Sequence, residues 1–90
     1  MLFRSKIVVM FFTYILFSSS KQEYYAGQTN SMDFRLTQHN AGEVISTKHG
    51  TPWNLITMFE FATRSEAMKL EKKIKKRGIK RYLQDINFGA

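Results

Sequence analysis

The sequence predicts an α/β fold: a small, three-stranded, mostly antiparallel sheet flanked by helices, in the order β-β-α-β-α-α. Three observations lead there. Phe11–Phe17 and Trp53–Phe61 are rich in aromatic and β-branched residues, the composition of strands. A polar connection as short as Lys21-Gln22-Glu23 can join the first of these to a following strand only as an antiparallel hairpin. Two later stretches carry apolar residues at helical spacing and are bounded by capping residues and glycine.

The first segment admits two readings. Arg4 and Lys6 precede an unbroken apolar run, Ile7–Phe17, and Ser18-Ser19-Ser20 follows it. That arrangement imitates a secretory signal peptide, although the run is too short for a bilayer span of about 20 residues. The competing reading is a buried strand, and it is favoured, because cleavage after Ser20 would leave the next strand without a partner. Met10 then begins the functional domain, residues 10–90, and residues 1–9 are an N-terminal extension. A cytoplasmic location follows from the strand reading, and a secreted one from a cleaved leader.

The second strand is Tyr24–Gly27. Asn30 or Ser31 can cap the first helix, Asp33 lies in its first turn, and Asn40-Ala41-Gly42 ends it. Glu43–Pro52 is a polar loop holding Lys48, His49 and Gly50. Trp53–Phe61 is the third strand. Ser65 can cap the second helix, which runs through Lys76 and Arg77 to Gly78, and a short helix, Ile79–Asp85, closes the domain. Ninety residues with a net charge of +7 make one small basic domain. Such a charge favours a polyanionic partner, since each cation facing a phosphate releases condensed counterions. The chain has no cysteine, which excludes disulfides and cysteine-ligated zinc.

The second helix holds the most informative charged residue. Ala67, Leu70 and Ile74 mark its buried stripe, and Glu71 lies at the edge of that stripe. A carboxylate there is costly unless it is paired or bound to a metal. An ordinary ion pair with Lys75 at i, i+4, or with Lys72, accounts for it equally well. The run Lys69, Lys72, Lys73, Lys75, Lys76 reads by default as a solvated face. On the first helix Met32 and Leu36 share a face, with Arg35 and His39 one turn apart beside it. Arg35 could be a surface cation near Asp33, and His39 a residue favourable to the helix dipole. His39 and His49 lack the further ligands that a zinc site needs, and no local motif marks a nucleophilic serine.

Two triplets, Thr13-Tyr14-Ile15 and Tyr25-Ala26-Gly27, have tyrosines eleven residues apart; Arg35 and His39 follow Gly27 by eight and twelve, and Glu71 comes later. In this order the chain resembles the GIY-YIG nucleases, from about Phe11 to its end. The resemblance is to the small standalone branch and to the N-terminal nuclease domain of the excision-repair endonuclease. Glu66–Lys75 has the look of the family's glutamate helix. His39-Asn40-Ala41-Gly42, Pro52-Trp53 and Thr63-Arg64-Ser65-Glu66-Ala67 are similar to the standalone branch as well. Thr13 stands in place of the first glycine, and Ala26 in place of the isoleucine. Asn87 is the one candidate for the asparagine that many members carry, and its spacing from Glu71 does not identify it.

The resemblance implies a divalent-metal-dependent DNA endonuclease that hydrolyses phosphodiester bonds with little sequence specificity. Tyr14 would be the general base or would orient the water, with its pKa lowered by Arg35, the lysines and the cation. Tyr25 would hydrogen-bond within the site in support of Tyr14, and Arg35 would clamp the scissile phosphate. His39 would touch the phosphate or assist proton transfer. Glu71 would hold one Mg²⁺ or Mn²⁺, and Gly27 would allow close backbone approach. DNA would lie on Lys69, Lys72, Lys73, Lys76, Arg77, Lys80 and Arg81, with no small-molecule cofactor and no membrane involved. The alternative is a nucleic-acid-binding module of the same fold that cuts nothing.

Overall fold

The computed structural model describes residues 9–89. Its elements are β1 (Phe11–Ser18), β2 (Glu23–Thr29), α1 (Met32–Asn40), a 3-10 turn (Lys48–Gly50), β3 (Trp53–Phe61), α2 (Arg64–Arg77) and α3 (Ile79–Asp85). This is the order and class expected from the sequence. Residues 1–8 of the anticipated extension lie outside the described residues. Within the leader-like segment, Phe11–Ser18 is a strand of the sheet.

The strands lie in the order β2-β1-β3, with both pairings antiparallel. β1 is therefore central and covered on both faces, which explains why its sequence is continuously apolar rather than alternating. Alternate side chains still serve different layers. Tyr14 and Leu16 face α1 and pack with Met32, Trp53, Tyr25 and Leu36. Ile15 faces α2 and α3, packing with Ala26, Ile74 and Leu83. Ile15 and Ile74 are wholly buried, so truncating either to alanine is expected to cost about 2–5 kcal/mol.

Local details differ from the sequence expectation in two places. β2 continues past Gly27 to Thr29, because Thr29 still pairs with Phe12. The cap of α2 is Thr63, not Ser65: Thr63 has extended backbone and its hydroxyl oxygen accepts from the Glu66 N–H at 3.2 Å. Gly78, at φ +94°, turns the chain between α2 and α3, a conformation that a side chain would strain. Thr57 pairs with Ile15 while Leu55 pairs with Leu16, so Ile56 is an inserted bulge residue; it packs with the α2/α3 layer. No described helix is long and apolar enough to cross a membrane.

Candidate active site

Tyr14 and Gly27 are paired directly across β1 and β2. A Cβ on Gly27 would fall 2.5 Å from Tyr14 Oη and 2.7 Å from Cζ. The glycine is thus required by the phenol that lies over it, and the close approach expected at Gly27 is made by Tyr14 itself.

Above this pair, α1 supplies Arg35 and His39 from successive turns. Tyr14 Oη lies 2.8 Å from His39 Nε2, and Arg35 Nε donates to the same oxygen at 3.4 Å. The other ring nitrogen, Nδ1, lies 2.7 Å from Thr47 Oγ1, and the Thr47 hydroxyl donates to the Val44 carbonyl at 3.4 Å. Both ring nitrogens of His39 are thus engaged by hydroxyls, Nδ1 by Thr47 and Nε2 by Tyr14. In the tautomer with its proton on Nδ1, Nε2 is an acceptor for the Tyr14 hydroxyl. Tyr14 and His39 are both fully enclosed, so the dipole role suggested for His39 gives way to a buried hydrogen-bond chain.

Electrostatics fix the resting protonation. Burial raises the Tyr14 pKa above its usual 10.0; the Arg35 hydrogen bond opposes this but is the smaller influence. The expectation that neighbouring cations lower the phenol's pKa is therefore not met by the protein alone, and Tyr14 rests as a neutral phenol. Burial, and secondarily Arg35, lowers His39 from 6.5 to about 4, so the imidazole is neutral at pH 7.

Tyr25 stands beside both residues, with ring centroids 6.4 Å from Tyr14 and 5.2 Å from His39. Among the described residues its contribution is ring packing rather than the hydrogen bond expected of it. Lys75 Nζ lies 5.8 Å from the Tyr25 centroid and donates to Glu71 Oε2 at 2.7 Å. The i, i+4 pair is thus present, and it stands at the site: the Glu71 charge is among the influences that raise the Tyr14 pKa. Among the described residues no three His, Cys, Asp or Glu side chains gather as a metal cage. One partly exposed carboxylate suits a hard cation that keeps most of its water and completes its shell with phosphate oxygens. Glu71 fits that role once Lys75 releases it.

The basic residues separate. Lys69, Lys72, Lys73, Lys76, Lys80 and Arg81 are exposed, whereas Arg77 is held by Asp85 through two hydrogen bonds of 2.7 and 3.0 Å. Asn87 is exposed at φ +55°, in the turn after α3. His49 is exposed in the 3-10 turn.

Two residues of the site escaped sequence reasoning. Thr47 sits in an unpatterned loop, and Asn40 looks like a helix terminator. Asn40 Oδ1 accepts from Trp53 N–H at 2.6 Å and its Nδ2 donates to the Trp53 carbonyl at 3.1 Å, while Trp53 Nε1 donates to the Thr47 carbonyl at 2.8 Å. These bonds tie the end of α1 to the start of β3 and hold Thr47 beneath His39.

Comparison with known proteins agrees with this geometry. The solution NMR structure of a UPF0213 protein from Bacillus halodurans is similar to this chain, with a TM-score of 0.54 and 25% sequence identity. The similarity covers 89% of this chain and 85% of that one. No curated protein sequence matches significantly. The model of the GIY-YIG catalytic domain matches residues 10–83, from the start of the sheet into α3. The chain belongs to the GIY-YIG family.

Proposed function

We propose that this protein is a divalent-metal-dependent DNA endonuclease with little sequence specificity. Its family is of nuclease type, which implies a nucleic-acid substrate. The observation that carries the reading is the position of Tyr14 Oη, which accepts from Arg35 and lies within hydrogen-bond distance of a neutral imidazole.

The resting site is closed, because Tyr14 is enclosed and the Arg35 side chain reaches over its hydroxyl. At 3.4 Å that hydrogen bond is long and weak. A phosphodiester offers Arg35 a charge-assisted, bidentate partner in its place. Binding therefore draws the guanidinium towards the phosphate and uncovers the phenol oxygen. The phosphate also offsets the Arg35 charge, which is the lesser of the two influences holding His39 low.

Hydrolysis then needs one proton removed from water as its oxygen bonds to phosphorus and the bond to the leaving oxygen breaks. Tyr14 takes that proton while passing its own to His39 Nε2, so the phenol is unchanged and the imidazole becomes cationic. Of the two roles expected of His39, proton transfer is the one that its enclosure permits. Arg35 offsets the charge that grows on the phosphoryl oxygens. Mg²⁺ or Mn²⁺ held at Glu71 would supply Lewis-acid stabilisation of the leaving oxygen.

Nicking of supercoiled plasmid with Mg²⁺ or Mn²⁺, against an EDTA control, tests the activity. Mapping the ends on a long DNA of mixed sequence tests the specificity. Metal-dependent, scattered cuts are expected. Binding without cutting under every metal condition would instead support the non-catalytic module.

A further inference from the structure

Beside Arg35 a cleft of about 340 Å³ opens between the end of β2, the outer side of α1 and the first residue of α2. Its walls include Gln28, Asn30, Phe34, Arg35, Gln38 and Arg64, so among the described residues it has two guanidiniums and no carboxylate.

Both arginines are already positioned. Arg64 Nη1 donates to Gln28 Oε1 at 2.8 Å, and its guanidinium carbon lies 4.8 Å from the centre of the Phe11 ring. Arg35 Nη1 donates to Gln38 Oε1 at 3.2 Å. A glutamine carbonyl orients a guanidinium without neutralising it. Each arginine has five N–H donors and spends only one or two on these contacts, so positive charge and directed donors remain for an anion. Arg64 also lines a second groove, of about 370 Å³, with Met68, Lys69 and Lys72. Arg64 thus belongs to both grooves, with Arg35 in the first and Lys69 and Lys72 in the second.

The remaining wall is unusual for a phosphate track. Phe34 is 64% exposed on the outer side of α1, at the edge of the cleft. A ring held beside phosphate-binding cations serves as a stacking platform for a nucleobase. Within a duplex the base faces are occupied by their neighbours, so only an unpaired base can lie flat on this ring.

We propose that this cleft is a binding subsite for an unpaired segment of the DNA strand, with Arg64 holding a backbone phosphate and Phe34 stacking the adjacent base. The inference rests on the nuclease reading and narrows its substrate to DNA with an unpaired strand beside the cleaved bond.

Binding is measured by fluorescence anisotropy in EDTA, with a labelled single-stranded oligonucleotide and a duplex of the same sequence as probes. Phe34→Ala is expected to weaken the single strand about tenfold, the scale of one lost stacking contact, and to leave the duplex nearly unchanged. Arg64→Gln is expected to weaken the single strand and to lower the slope of log affinity against log salt by about one. Circular dichroism is the check that all three variants fold; Phe34→Leu, which keeps apolar bulk but no aromatic face, is expected to behave as Phe34→Ala. Equal binding of the single strand by parent and variants would overturn the subsite, as would equal weakening of both probes by Phe34→Ala. Metal-dependent nicking by the parent is read separately, so the subsite can fail while the nuclease reading stands; a parent that binds neither probe overturns the subsite directly.

Discussion

The hydroxyl of Tyr14 and Nε2 of His39 lie 2.8 Å apart, in a buried contact between residues 25 positions apart in the chain. The central strand and the first helix are joined at this point by a bond that can also carry a proton. Structural and chemical roles therefore coincide, and substitutions here should move stability and activity by separable amounts.

Tyr14→Phe removes the hydroxyl and leaves His39 Nε2 buried without a partner. A cost of about 1–3 kcal/mol is expected, more than the small change that strand packing alone suggests. Cleavage should fall by roughly 10²-fold or more, the scale of a lost proton-transfer group. Tyr25→Phe, whose ring packing survives, should lose less of both. Urea denaturation alongside nicking rates separates the effects, and equal activity in all three proteins would leave Tyr14 a packing residue.

Stability should depend on pH through His39. Its pKa is about 4 in the folded protein against an ordinary 6.5, so below 6.5 the unfolded chain takes up a proton that the folded one does not. Stability is then complete above about pH 6.5 and falls as the pH drops towards 4, by on the order of 3 kcal/mol if the whole shift is expressed. His39→Gln should flatten that limb of the profile. Denaturation midpoints at pH 7 and pH 4.5 for the two proteins measure it.

Gly27→Ala should displace the phenol, since the added carbon would lie 2.5 Å from Tyr14 Oη. Overpacking in a buried site costs about 1–3 kcal/mol, and moving Oη away from His39 should remove activity even where the fold survives. Pairing it with Tyr14→Phe is informative: the added stability loss should shrink, because both changes break the same contact.

A chain beginning at Lys21 lacks the central strand of the sheet. It should fail to give cooperative unfolding by circular dichroism, because β2 and β3 pair with β1 and not with each other. A soluble, active product would return Ile7–Phe17 to the leader reading.

Much of this architecture was legible in the chain because local signals agreed with one another. Aromatic runs marked the strands, Gly78 marked the break between helices, and the stripe of Ala67, Leu70 and Ile74 placed α2. Capping was less legible: Thr63 and Ser65 are equally suitable residues, and only the backbone turn at Thr63 decides between them. At the site, residue type alone concealed two roles. A histidine near a helix end reads as a surface residue until Thr47, brought in by an irregular loop, satisfies its second nitrogen. Lys75 reads as the ion-pair partner of Glu71, and its place beside the Tyr25 ring emerges only when the helix is packed on the sheet. Whether Tyr14 was covered could not be read from spacing at all, since it depends on where the Arg35 side chain folds back.

The most direct measurement compares plasmid nicking by the parent and Glu71→Gln in Mg²⁺ or Mn²⁺, with DNA binding and circular dichroism measured on the same samples. The parent is expected to nick only with a divalent cation. Glu71→Gln is expected to remain folded and to bind DNA at least as well, having lost one repulsive charge, yet not to cut. Cutting by Glu71→Gln at the parent rate, or a folded parent that binds DNA and never cuts, would contradict a metal-dependent nuclease built on Glu71.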